Sequence, residues 1–368
     1  KSDSSVKLTD RQKSLLKSKI QKQKKILDGD IQKKTITKTD SKNLNAIEES
    51  GSELKEVGKN ADGYGYARTT QCIVVKKLTK SLFESELFPM TYNNYWNEKE
   101  GPINMYYKED VDKGIKLGTM LGKKLQVRGE DKSTIFNRQK VGKIDRRMIS
   151  SLGFGNENVF QFTEIDSYKK ANLHISVDAS SSMGGDKWKK TMTNIVALCK
   201  AVDMISNLNV QITFRCTSKN KPYIVMAYDS RVDKFSKVKQ MFPGLGPNGT
   251  TPEGLCFEAI MKEFVPINND LDSYFLNLSD GQPYFPGEGF YYGGRTAENH
   301  TNKMVKMIES MGIQTLSYFI TDWEIDEDSS DARCFKKMYG KGAKMIDVTN
   351  ANQITKTCLL YTSDAADE

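Results

Sequence analysis

From about residue 166 onward the chain repeats one pattern: a short apolar run, a polar turn, and a segment with helical spacing. "LHISV" is followed by "DKWKKTMTNIVALCKAVDMI", and "NVQITFRC" and "YIVMAY" by "RVDKFSKVKQMF". "PEGLCFEAIMKEFV" precedes "SYFLNL", "ENHTNKMVKMIESMG" precedes "IQTLSYFI", and "SDARCFKKMYG" precedes "AKMIDV". Continuous apolar runs of this length suit strands buried on both faces. Strands alternating with helices predict an α/β fold, a doubly wound, mostly parallel sheet with helices on both faces. "NANQITKT" reads as the start of one more helix. In such sheets ligands bind beyond the carboxyl ends of the strands, so the residues just past each apolar run are the first place to look for chemistry.

Three of those places are rich in short oxygen-bearing side chains. "HISVDASSSMGG" ends a strand in Asp178, Ser180 and Ser182. "GPNGTTPEG" puts Thr251 directly before Pro252 and a helix, with Thr250 as its rival. "LNLSDGQP" places Asp280 at the end of another strand. Carboxylates and hydroxyls without thiol or imidazole suit a hard cation, Mg²⁺ or, as an alternative, Mn²⁺. Each segment has an ordinary structural explanation, since serines cap helices and aspartates make turns. Their order, each at an element boundary, is what points to one site.

This constellation resembles the metal-ion-dependent adhesion site (MIDAS) of von Willebrand factor A (VWA) domains. The layout strand–DxSxS–helix, then threonine before a helix, then strand–SDG, is that family's. The resemblance implies a Rossmann-like VWA sheet in which Ser180, Ser182 and Thr251 ligate the metal directly, while Asp178 and Asp280 act largely through water. The flanks narrow it further. "RQKVGKIDRRMISSL" before the first strand, "TPEGL", and "SDGQPYFPGEGFYYGG" look like the VWA subunit of aerobic cobaltochelatase, the CobT type. Gly142, Lys143, Ile144, Asp145, Arg146 and Arg147 carry the basic segment of that resemblance, which runs from about residue 115 to 357. It implies a role and not a pathway: a non-catalytic, cytoplasmic subunit that partners a MoxR/CobS-type AAA+ ATPase and a large chelatase subunit, as the family does in cobalamin biosynthesis. CobT-like proteins also occur away from cobalamin genes, so a bacterial or a phage source fits equally. Arg146 and Arg147, with Arg138, are candidates to meet an acidic partner, or form a solvated face. Tyr291 and Tyr292, with Phe290, are candidates for a partner-binding lip, or cover the core beneath a loop.

The expected organisation has four parts. Residues 1–60 form a basic segment, partly helical or disordered, and 61–165 a smaller helical or α+β region. Residues 166–357 form the VWA domain. The last stretch, 358–368, "CLLYTSDAADE", reads as the translation of a sequencing adapter and is expected not to be biological. The five other cysteines (Cys72, Cys199, Cys216, Cys256, Cys334) are dispersed without a CxxC, as reduced core thiols are. With only His174 and His300, imidazole-based zinc or acid–base chemistry has little to draw on. The charged fraction is 28% and no apolar run reaches the roughly 20 residues a membrane helix needs. Two other classes compete. A Mg²⁺-dependent hydrolase would use Asp178 and Asp280 but lacks an evident nucleophile–base pair. A nucleic-acid binder would use the basic N-terminal arm, which supports the formal charge of +8 but lacks interleaved aromatics. No GxxxxGK[ST] occurs, so ATP hydrolysis would belong to a partner.

Overall fold

The computed structural model describes residues 38–59, 61, 68–91, 105–129, 132–166, 170–205, 208–263, 271–321 and 329–347. Residues 1–37 of the basic segment, the last helix expected after 349 and the segment 358–368 lie outside them. The chain divides into two compact units, 1–45 and 46–368. Of the first, only Lys38–Asn45 is described, and it is helical, the start of α1 (Lys38–Ser50).

The second unit is built on eight strands: β1 (Glu53–Val57), β2 (Thr70–Val75), β6 (Lys170–Asp178), β7 (Leu208–Ser218), β8 (Lys221–Asp229), β9 (Leu271–Ser279), β12 (Gln314–Thr321) and β13 (Ala343–Asp347). Their spatial order is β1-β2-β8-β7-β6-β9-β12-β13. β7, β6, β9, β12 and β13 run parallel, whereas β8 is antiparallel to β7, to which a tight turn at Lys219–Asn220 joins it. The strand order reverses on either side of β6, the first strand of the doubly wound part, so a crevice opens at its carboxyl end. This is a Rossmann-like, doubly wound and mostly parallel sheet, the α/β architecture expected from the sequence.

One helical layer holds the short α2 (Lys80–Phe83), α3 (Lys108–Gly129), α5 (Asp186–Val202) and α6 (Ser236–Met241); the other holds α7 (Glu253–Ile260), α8 (Gly294–Ser310) and α9 (Ser330–Tyr339). β6 shows why both are needed. Ala171, Leu173, Ile175 and Val177 pack under α3 and α5 with Val111, Trp188, Met192 and Ile195. The opposite register carries Asn172, His174, Ser176 and Asp178, all buried. Successive strand side chains point to opposite faces, so one face of β6 is apolar and the other polar. The polar positions continue sideways: Ser176 is level with Thr213 and Asn277, and Asp178 with Arg215.

α3 crosses α5 unusually closely because Gly114, Gly118 and Gly122 line the contact. A methyl on Gly114 would meet Thr193 O at 2.6 Å, and one on Gly118 would collide with Ala197 O. Thr193 Oγ1 donates across the seam to Asp110 O at 3.1 Å.

Several elements before residue 166 contribute to the main body. β1 and β2 join the main sheet, with Ile73, Val74 and Val75 level with Tyr223, Ile224 and Val225. α3 belongs to the main helical layer. Among the described residues, the stretch 132–166 forms a separate small antiparallel sheet of β3 (Lys132–Gln139), β5 (Phe160–Asp166) and β4 (Lys143–Ile144) in the order β3-β5-β4. It carries a short helix, α4 (Ile149–Leu152), and exposes Phe136, Ile144, Phe154 and Phe162.

Candidate metal centre

Asp178, at the last position of β6, is fully buried. Its Oδ1 accepts the Ser180 backbone N–H at 2.8 Å, an Asx turn that bends the chain out of the strand. A single 3₁₀ turn, Ser181–Met183, follows, and buried Met183 pins it to the core. Gly185 then takes φ +74°, a left-handed conformation that favours glycine, and starts α5. Trp188 fixes the helix in turn, its indole N–H donating to Leu245 O at 2.9 Å.

The second loop is tied to the first through backbone. Ser181 N–H donates to Gly249 O (3.0 Å) and Asn248 N–H to Ala179 O (2.7 Å). Gly249, at φ +74°, sits against Thr217, whose hydroxyl accepts the Thr250 N–H at 3.0 Å. Thr251 is buried beside it, its carbonyl accepting the Tyr284 N–H at 2.9 Å. The Thr250 hydroxyl is buried with no hydrogen-bond partner among the described residues, which leaves this oxygen available as a ligand beside Thr251.

The third loop closes the ring. Ser180 Oγ and Ser182 Oγ are 2.9 Å apart, and Ser182 Oγ donates to Asp280 Oδ1 at 2.8 Å. Asp178, Ser180, Ser182 and Asp280 thus form one hydrogen-bonded chain at the carboxyl ends of β6 and β9. The Ser279 hydroxyl donates to Asp178 Oδ2 at 3.2 Å.

Sequence reasoning missed what lies behind and beside this chain. Arg215, wholly buried on β7, meets Glu253 of α7 at 2.5 Å and donates to Ser176 Oγ (3.0 Å) and Leu278 O (3.3 Å). Asn277 donates to the same Glu253 oxygen at 2.9 Å. Lys187, in the first turn of α5, reaches Asp280 Oδ2 at 2.5 Å. Burial pushes the Asp178 carboxyl up to about 6, with Asp280 and Glu253 adding to the shift and Arg215 opposing it. A signal existed for Arg215: an arginine inside "ITFRC" needs a buried partner.

The donors fit a hard divalent cation. Two carboxylates and the hydroxyls of two serines are assembled at one end of the sheet, with a buried, unpartnered threonine hydroxyl on the adjoining loop. Among the described residues no cluster of three or more His, Cys, Asp or Glu offers a softer alternative. Neither histidine serves the serines: His174 Nε2 lies 2.9 Å from Thr213 Oγ1, and His300 bonds Tyr292 and Glu258.

The remaining candidates separate. Tyr292 is not on a lip. It is wholly buried, with its hydroxyl 3.1 Å from both His300 Nδ1 and Thr301 Oγ1, because the hairpin β10 (Phe285–Gly287) to β11 (Phe290–Tyr292) turns alternate side chains inward. Phe290 is buried with it, while Tyr291 is half-buried and edges against exposed Tyr284. Arg146 and Arg147 lie on the surface after β4, away from these loops in sequence. Arg147 is held bidentately by Asp145 at 3.1 Å.

No family model matches the chain, and no curated protein matches it. Solved structures with a similar fold include the pilus adhesin SpaC of Lactobacillus rhamnosus GG (12% identity, TM-score 0.41), where the match covers 56% of this chain and 32% of the adhesin. They include the manganese-loaded TRAP protein of Plasmodium vivax (14%, TM-score 0.36; 51% of this chain, 72% of that one). They also include proximal thread matrix protein 1 of the mussel byssus, with a zinc-occupied MIDAS motif (11%, TM-score 0.37; 54% and 46%). This chain therefore spans about a third of the adhesin's length. Identities this low leave function to the site itself.

Proposed function

We propose that the chain is a metal-dependent protein-binding subunit whose site takes a carboxylate from a partner. The charge at the site carries this reading. Three carboxylates, Asp178, Glu253 and Asp280, meet two cations, Arg215 and Lys187, in two hydrogen-bonded groups that the charges of Arg215 and Glu253 acting on Asp178 join into one electrostatic network. Their formal sum is one negative charge, so the network attracts a divalent ion and is left with one positive charge afterwards. A site that ends positive, in a partly desolvated crevice, favours one external carboxylate. When bound, the metal, Mg²⁺ by the hardness of the donors, supplies a Lewis-acidic position for that anion. The chain's own residues hold the geometry: the Asx turn at Asp178 aims Ser180 and Ser182, and the Arg215–Glu253 pair fixes α7 and the threonines before it.

The finer reading is a CobT-like subunit working with a MoxR/CobS-type AAA+ ATPase in the cytoplasm, in a chelatase or remodelling complex. It is supported by the basic segment Gly142–Arg147 and by "SDGQPYFPGEG" after Asp280. Arg146 and Arg147, exposed beside the small sheet, are then the residues offered to an acidic face of the ATPase.

The test is affinity capture on the purified chain, in Mg²⁺, in EDTA, and with Asp178→Ala. An AAA+ ATPase retained by the wild type in Mg²⁺, and lost in the other two, is the expected result. Equal retention in all three would take the metal out of the mechanism.

A further inference from the structure

We propose that Lys187 is a cation built into the metal centre, one that weakens the hold on a divalent ion and keeps the loaded site positive, so that it selects an anionic ligand. The proposal rests on the metal-dependent reading above.

Both oxygens of Asp280 are taken by donors of this chain. Ser182 Oγ holds Oδ1 at 2.8 Å and Lys187 Nζ holds Oδ2 at 2.5 Å. The pair is sheltered, with the lysine side chain 15% exposed and the aspartate side chain 1% exposed, so water screens it poorly. Other lysines nearby behave differently. Lys189 pairs with Asp186 on the surface of the same helix, at side-chain exposures of 39% and 72%. Lys187 also stands in the first turn of a 17-residue helix, where the unsatisfied N–H groups favour acids and disfavour cations. A lysine placed there and turned inward is held by Asp280 against that field. Its position is fixed by Gly184–Gly185 before it and by the Trp188 anchor after it.

The electrostatic consequence has a definite sign. A divalent ion approaching Asp280 meets a fixed positive charge and must share the carboxylate or displace the ammonium. Either way Lys187 opposes it. Replacing Lys187 with a neutral residue takes the formal charge of the network from one negative to two. The variant holds a divalent ion more tightly, yet is neutral once loaded and loses its pull on a carboxylate. Metal affinity and anion selection therefore move in opposite directions, an outcome that a merely structural lysine would not produce.

The experiment is calorimetric titration of the full chain with Mn²⁺, for the wild type, Lys187→Met, Lys187→Gln, Lys187→Arg and Asp178→Ala. Acetate added to the Mn²⁺-loaded proteins serves as the anion probe, read by broadening of its methyl resonance. Expected are an affinity for Mn²⁺ at least tenfold higher in both neutral variants, wild-type affinity in Lys187→Arg, and several-fold weaker acetate broadening in the neutral variants. Mn²⁺ binding that is lost in Asp178→Ala but unchanged within twofold in Lys187→Met and Lys187→Gln overturns the role of Lys187 alone. Mn²⁺ binding that is absent from the wild type, or indifferent to Asp178→Ala, overturns the metal reading and this inference with it.

Discussion

Arg215→Met should be among the most damaging single substitutions in the chain. Arg215 and Glu253 are both wholly inaccessible, and the guanidinium also serves Ser176 Oγ, Leu278 O and the field around Asp178. Methionine of similar volume removes the charge without leaving a large cavity, so the cost is electrostatic. It leaves two carboxylates behind, Glu253 with Asn277 still donating to it and Asp178 without the positive charge that opposes its shift. Breaking a buried pair in this way costs roughly 3–5 kcal/mol, because the surviving ion stays desolvated. That is a large share of the 5–15 kcal/mol available to a typical domain. The double variant Arg215→Met/Glu253→Gln should recover about half of the loss or more, since it removes the stranded charge. The pH dependence has a fixed sign. Burial already holds the Asp178 carboxyl up at about 6 against an ordinary 3.8, and removing Arg215 raises it further. A carboxyl with a raised folded pKa costs stability as pH climbs from its ordinary value to the folded one, and loss of Arg215 extends that window upward, so the deficit should be larger at pH 8 than at pH 5. Urea unfolding of the metal-free proteins at both pH values measures all of this. A loss below about 1 kcal/mol, or a double variant no better than the single one, would refute the claim that this pair is held by mutual charge compensation.

Two further outcomes follow from the fold. Burial holds the His174 imidazole down to about 3 from an ordinary 6.5, so the unfolded chain takes up a proton below pH 6.5 that the folded chain refuses. Stability should fall by ~1.4 kcal/mol per pH unit from this residue, about 2 kcal/mol by pH 5, and the slope between pH 7.5 and 5 should shrink in His174→Gln. Gly118→Leu forces α3 away from α5 at Ala197 and Lys200, and overpacking of this kind costs about 1–3 kcal/mol, read as a lowered urea midpoint.

The α/β character was legible because buried strands and amphipathic helices leave different spacings in sequence. Every main-sheet strand from β6 to β13 coincides with an apolar run. The strand-end oxygens were legible for a related reason: Asp178, Ser180, Ser182 and Asp280 are out of place at the end of an apolar run unless something polar is assembled there. Three things were hidden. "ELKEV" and "TQCIVV" carry no mark of which sheet they will join, and an edge strand is recruited by the partner edge it meets. Arg215 and Glu253 are 38 residues apart in sequence, and only the crossing of β7 beneath α7 brings them together. For Tyr292 the sequence leaves a lip and a core cover both open, because aromatic residues in a glycine-rich loop suit either, and its burial selects the cover. The period of two in a three-residue strand, which buries Phe290 and Tyr292 and spares Tyr291, is too short to recognise in sequence.

The two strands before residue 166 also bear on how the chain can be divided. β2 covers the edge of β8 with parallel pairing at Ile73–Val75, and Val57, Cys72 and Val74 sit in the same apolar cluster as Phe257 and Phe275 beneath α7. An excised fragment beginning at the first strand of the repeat would bare the backbone edge of β8 and strip part of the floor on which α7 rests. Since α7 carries Glu253, the damage would travel to the metal centre from the far side of the sheet. A fragment meant to keep the floor of the metal centre should therefore begin before β1, and the stretch 132–166 is an insertion between strands of one sheet.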